Sequence, residues 1–136
     1  NHYMRQCKSE KIQFNCKVTL PAKEITISTI DLCNIIGNLL ENAVLACRDL
    51  PEEDRKIDIK ILERNMSNLY IVATNSFNGF VKQKNNTYIT TRRSGNGIGL
   101  KSIKSAAETY GGSADFRNSE KEFYSNIIIP FNLKYS

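Results

Sequence analysis

Apolar residues recur at spacings of three and four in the middle of the first half of the chain, where Leu32, Ile36, Leu39, Leu40, Ala43, Val44 and Cys47 form one stripe. That is the period of a helix with one face in a core. The stripe predicts a central helix from Asp31 to about Leu50, capped by Ser28, Thr29 or Asp31 and stopped by Pro51 and the acidic turn Glu52-Glu53-Asp54. On both sides of it the period changes to two. Ile12, Phe14, Cys16 and Val18 alternate with Gln13, Asn15, Lys17 and Thr19 until Pro21, which predicts a half-buried strand over residues 12 to 20. Ile57, Ile59 and Ile61 alternate with Asp58 and Lys60, and after a polar turn comes Leu69-Tyr70-Ile71-Val72-Ala73. This pair reads as an antiparallel hairpin with a well-buried second strand.

From Thr74 to Ser94 the pattern collapses into Asn, Ser, Gly, Lys, Thr and Arg. So long a stretch without a period, inside a compact domain, is usually functional, such as a lid. Its composition offers little apolar area to bury, so it is expected to move without a ligand. Leu100, Ile103, Ala107 and Tyr110 mark a second helix, which Gly111-Gly112 ends. A strand near Ala114 to Arg117, a charged turn and a last strand over residues 123 to 131 complete the order. Both helices are free to cover one face of a mainly antiparallel sheet, which places the chain in the α/β class.

At 136 residues the chain is one domain that buries roughly two thirds of its unfolded surface. Residues 1 to 11 are polar and read as the end of a preceding linker or helix, with the domain proper over 12 to 136. The chain starts at Asn1 without an initiator Met, as expected of a piece of something larger. Four cysteines without a C-x-x-C pair, and one histidine, His2, argue against zinc and for reduced, cytosolic thiols. No apolar run is expected to cross a membrane, and no signal peptide is visible. The net charge of +5 is scattered along the chain, and Phe14, Tyr70, Phe77, Tyr110 and Phe123 fall mostly at strand or core positions. Nucleic acid is therefore not expected as a partner.

Two groups of residues carry chemistry. Asn38 and Asn42 lie four apart on the central helix and point together. Helix interiors disfavour Asn, so the pair is either an ordinary polar face or is kept for its amides. Neutral amide oxygens suit a hard cation that arrives already bound to phosphates. The second group is Gly95-Asn96-Gly97-Ile98-Gly99-Leu100, three alternate glycines that open a helix, preceded by Arg92 and Arg93. Such a backbone can approach a phosphate closely at a helix N-terminus. It matches neither the dinucleotide fingerprint nor the P-loop.

These motifs in this order, Asn38-Leu39-Leu40-Glu41-Asn42-Ala43 and then Gly95-x-Gly97-x-Gly99-Leu100, resemble the catalytic ATP-binding domain of sensor histidine kinases. That domain belongs to the GHKL group with gyrase, the heat-shock chaperone and the mismatch-repair ATPases. The resemblance spans about residues 12 to 131. The short lid and the form of the first motif are most similar to the peptide-pheromone receptor (quorum-sensing) kinases of Gram-positive bacteria. The resemblance implies a two-layer α/β sandwich of the Bergerat type, a mixed, mostly antiparallel sheet of about five strands with helices on one face. It implies Mg²⁺ on Asn42 with Asn38 assisting, nucleotide packed on Ala43, and phosphates wrapped by Gly95, Gly97, Gly99 and Leu100. Arg92 falls where the lid supplies a cation. Glu41 is a weak candidate proton acceptor; its alternative is an exposed acidic residue.

Two positions depart from the family pattern. Where the first glycine box reads D-x-G-x-G, this chain has Asn75, Phe77 and Gly79, so a neutral amide replaces the carboxylate that accepts from adenine. The Phe77 ring either stacks on the base or fills the core. Leu45 stands where many such kinases carry Lys or Arg. The activity implied is transfer of the γ-phosphoryl group of Mg-ATP to a His on a dimerisation domain that this chain lacks, His2 lying too close to Asn38 to serve. A response regulator is then an indirect partner, the isolated domain a monomer, and the parent a membrane-anchored receptor with this domain in the cytoplasm. The alternative is a nucleotide-binding regulatory module without phosphotransfer activity.

Overall fold

The computed structural model describes residues 2–20, 26–65, 67–79, 82–84, 87–89 and 98–131. In chain order the elements are α1 (His2–Ser9), β1 (Gln13–Thr19), α2 (Thr29–Arg48), a 3₁₀ turn (Glu52–Asp54), β2 (Lys56–Arg64) and β3 (Asn68–Ser76). They continue with β4 (Lys82–Lys84), β5 (Thr87–Ile89), α3 (Ile98–Thr109), β6 (Ser113–Asn118) and β7 (Glu122–Pro130). Five strands form one sheet in the order β1-β2-β3-β7-β6. The β1–β2 pair is parallel and the other three are antiparallel, so the sheet is mixed and mostly antiparallel, as expected.

The strand period decides which face is covered. Ile57, Ile59 and Ile61 of β2 pair with Asn75, Ala73 and Ile71 of β3, which pair in turn with Phe123, Ser125 and Ile127 of β7. Side chains alternate across a strand, so these rows share one face. That face is buried: Leu69, Ile71, Ile127 and Ile129 have no exposed surface. Both α2 and α3 lie over it, α2 on β2 and β3 and α3 on β6 and β7, and the two helices pack on each other. Each large side chain so buried contributes about 1.5–3 kcal/mol.

The buried stripe of α2 is Ile35, Leu39, Leu40, Ala43, Val44 and Cys47. Leu32 and Ile36, expected in the stripe, are half-buried at its margin, and Ile35, not expected there, is in the core. By length and composition α2 would serve as a membrane span, against the expectation that no run would. Its apolar residues instead pack on the sheet, while Asn34, Asn38, Glu41 and Asn42 interrupt its other sides.

Both ends of α2 are tied. At the N-terminus the Ser28 side chain accepts from the Asp31 N–H, and Tyr110, beyond α3, donates its hydroxyl to Asp31 Oδ2 while accepting from the Ser28 N–H at 3.0 Å. At the C-terminus Arg48 makes two bonds to the Glu10 carboxylate, and Arg55 donates to the Glu10 carbonyl at 2.6 Å and the Leu50 carbonyl at 3.0 Å. Through Glu10 these bonds join α2 to α1, whose Cys7 belongs to the core. The helix α3 ends as the glycines require. Gly111 has φ +79°, Gly112 donates to the Ala107 carbonyl, and a Cβ on Gly112 would lie 2.0 Å from the Ile128 carbonyl oxygen.

Within 74 to 94 the described residues, 74–79, 82–84 and 87–89, are more regular than expected; the rest of the segment expected to move lies outside the described residues. β3 runs on to Ser76, and β4 pairs antiparallel with β5 inside the segment read as a lid.

Candidate functional site

Asn38 and Asn42 sit one turn apart on α2, both half-buried. Asn42 Nδ2 is buried and has no hydrogen-bond partner among the described residues. Next to it is Gly99, in the first turn of α3, where a Cβ would stand 3.0 Å from Asn42 Nδ2 and 3.5 Å from its Oδ1. Asn42 of the first motif and Gly99 of the second, more than fifty residues apart in sequence, thus lie side by side. Leu100 and Ala43 are buried in the core at this junction of helices, so each seats its helix. Glu41 is half-buried and, at about 100° of helix rotation per residue, is turned away from Asn42.

Asn75 ends the helix-covered row of β3 and is 9% exposed. Its Nδ2 donates to the Ser76 carbonyl at 3.0 Å. The same carbonyl lies 3.9 Å from Cys47 Sγ, so Asn75 is near the C-terminal turn of α2. Burial pushes the Cys47 thiol up to about 11, which keeps it a neutral, unreactive filler.

After β3 the chain turns away against the β6–β7 turn. The Phe77 N–H donates to the Lys121 carbonyl at 3.0 Å. The Phe77 ring is 8% exposed and meets Phe123 edge-on at 5.8 Å, which itself stacks on Phe116 at 6.3 Å. The ring is thus buried against Phe123 while also lining the cleft beside it. Gly79 has φ +82°, and a Cβ there would lie 2.5 Å from the Glu120 carbonyl oxygen, so only glycine fits. An open cleft of about 760 Å³ lies between this loop and the turn, lined by Ser76, Gly79 and Glu120 among others. Neither Asn of α2 lines it.

Arg92, Gly95 and Gly97 lie outside the described residues. Among the described residues no group of three or more His, Cys, Asp or Glu is placed to hold a metal ion. A cation at Asn42 would therefore meet a neutral amide, with phosphate or water oxygens completing its shell. The orphaned amide fits that role, because a half-turn of its plane exchanges nitrogen and oxygen without moving its heavy-atom positions.

Sequence reasoning located both motifs but not the seat of Phe77, nor the Tyr110 clamp. The aromatic pair Phe77 and Phe123 becomes visible only when the register places β3 beside β7.

A mixed five-stranded sheet with α2 and α3 on one face is the architecture of histidine kinase catalytic domains. The catalytic domain of histidine kinase ThkA superposes with a TM-score of 0.74 at 15% identity, over 95% of this chain and 84% of that one. The mycobacterial sensor histidine kinase MprB gives 0.66 at 16%, over 96% and 90%. Full-length ShkA in complex with AMPPNP gives 0.71 at 14%, over 99% of this chain and 30% of ShkA. At such identities the likeness is one of fold. The family is fixed by sequence: residues 27–130 match the GHKL domain model, and the chain belongs to that family. No curated protein matches it.

Proposed function

We propose that this domain binds Mg-ATP between α2, α3 and the segment before α3, and delivers the γ-phosphoryl group to a His on the dimerisation domain of a parent sensor kinase. The observation that carries the reading is Asn42 Nδ2, buried beside Gly99 and without a hydrogen-bond partner among the described residues. Leaving such a group unsatisfied costs about 1–3 kcal/mol, which a ligand at this junction would relieve. Magnesium, when bound, supplies charge neutralisation on the phosphates. The chain itself contributes amide oxygens from Asn42 and Asn38, an acceptor at Asn75, and phosphate contacts from Gly95, Gly97, Gly99 and Arg92. As the acceptor His lies elsewhere, the domain alone hydrolyses nucleotide slowly at most and does not phosphorylate itself.

The parent is a cytoplasm-facing receptor kinase of the peptide-pheromone, quorum-sensing kind, with a response regulator downstream; the isolated domain is a monomer and takes no nucleic acid. These assignments rest on the resemblance of the motifs. A second reading, a nucleotide-binding regulatory module without phosphotransfer activity, is favoured by one observation, the Phe77 ring occupying the core where a mobile glycine is the family pattern.

Calorimetric titration of Mg-ADP and a non-hydrolysable ATP analogue tests the first step. Binding should need Mg²⁺ and weaken by about 1 kcal/mol or more in Asn42→Ala. No binding at millimolar nucleotide refutes the site. Phosphorylation of a supplied dimerisation segment then separates the two readings.

A further inference from the structure

The loop after β3 is fastened to the β6–β7 turn in three ways. Its Phe77 N–H bonds the Lys121 carbonyl, its Phe77 ring lies against Phe123, and its Gly79 is pressed to the Glu120 carbonyl. Directly upstream, the Ser76 carbonyl holds one N–H of the Asn75 amide at 3.0 Å. An amide held this way offers Oδ1 as its free acceptor. Turning it end for end would set its oxygen against the Ser76 carbonyl oxygen, two acceptors facing each other with the donor gone. How firmly the amide is set depends on how firmly Ser76 is held, on one side by its pairing with Glu122 of β7 and beyond it by the residue that follows.

Adenine and guanine differ at the atom such a group would read. Adenine carries an exocyclic amino donor where guanine carries the carbonyl acceptor O6. A fixed oxygen pairs with the first and repels the second, whereas an amide free to rotate accommodates both.

We infer that Phe77 is a positioning residue for base selection: by locking the loop on the β6–β7 turn it keeps the Ser76 carbonyl on Asn75 Nδ2, so that Asn75 Oδ1 selects adenine over guanine. The inference rests on the proposal that nucleotide binds here, and it assigns to Phe77 a role that the core contact by itself does not require. Rigidity from an aromatic seat replaces the negative charge of a carboxylate as the source of discrimination.

The test is calorimetric titration of Mg-ADP and Mg-GDP into the wild type, Phe77→Ala and Phe77→Leu. Hydrogen exchange of the Asn75 side-chain amide is followed by NMR in the nucleotide-free proteins. The wild type should favour ADP by roughly tenfold or more, the value of one misplaced hydrogen bond. Phe77→Ala should bring the ratio at least threefold nearer to one and expose the Asn75 amide to exchange. Phe77→Leu, which refills the seat, should hold both close to wild type. If Phe77→Ala fails to fold by circular dichroism, Phe77→Val takes its place with the same expected direction. Equal weakening of both nucleotides at an unchanged ratio, or an unprotected Asn75 amide in the wild type, overturns the role of Phe77 and leaves nucleotide binding standing. Failure of the wild type to bind either nucleotide overturns the proposed site, and the selectivity with it.

Discussion

Replacing Gly99 by Ala sets two effects against each other. Within a helix Ala is better than Gly by about 0.8–1.0 kcal/mol, and Gly99 lies in α3, so on backbone grounds the variant should be no less stable than the wild type. The new methyl, however, would stand 3.0 Å from Asn42 Nδ2, closer than carbon and nitrogen ordinarily pack, and the Asn42 amide has to move by a few tenths of an ångström. It holds no hydrogen bond among the described residues that would resist this, so the folded state yields cheaply. Binding does not, because the displaced group is the proposed metal ligand. Losing one well-placed polar contact costs about 1–3 kcal/mol, which is roughly 5- to 150-fold in Kd. The expected result is an unfolding midpoint equal to or above wild type together with weakened Mg-ADP binding, measured by scanning fluorimetry and titration calorimetry. A raised midpoint with Kd within twofold of wild type would show that Gly99 does not seat Asn42, and the argument for the site would fail.

Other outcomes follow from contacts outside the site. Tyr110→Phe removes the bonds to Asp31 and Ser28 and should lower stability by about 1–2 kcal/mol in chemical denaturation. The Asp31 hydrogen bond raises the Tyr110 pKa above the ordinary tyrosine value of about 10, so the contribution is complete below about pH 10 and fades as pH rises through the folded value; a wild type and variant that lose stability in parallel above that pH would contradict it. Arg48, foremost by its hydrogen bond, holds the Glu10 carboxyl below the ordinary glutamate value. Their pair is partly exposed, so Arg48→Met should cost less than about 1 kcal/mol near pH 7, and the difference should vanish as pH falls through the folded pKa of Glu10; a cost that persists in acid would place the effect in packing. Iodoacetamide at pH 8 should modify the exposed Cys16 and Cys33 in the native protein and spare the buried Cys7 and Cys47; rapid labelling of Cys47, seen by mass spectrometry, would show that α2 is not held as described.

The elements and the covered face were legible because burial imposes a period. β2, β3 and the stripe of α2 each repeat at the spacing their geometry demands, and a sequence with Ile57, Ile59 and Ile61 in alternation has few other ways to fold. The short β4–β5 hairpin was not legible, since strands of three residues each hold too few positions for a period to show. The meeting of Asn42 with Gly99 needed a resemblance, because nothing in either motif names the other. Phe77 was ambiguous for a physical reason: an aromatic ring after a buried strand suits a ligand and a core equally, and only the register that sets it edge-on to Phe123 shows where it is buried. The clamps at Tyr110 and Arg48 join residues far apart in sequence through side chains common on any surface, so no local signal marks them.

The two ties on α2 have a mechanical consequence. A helix of 20 residues, about 30 Å long, is fixed at one end to the segment that closes α3 and at the other to the segment that opens the chain. It cannot slide along its axis without breaking one set of bonds. Tied at both ends, α2 is the fixed backing against which the Asn42 side chain meets Gly99.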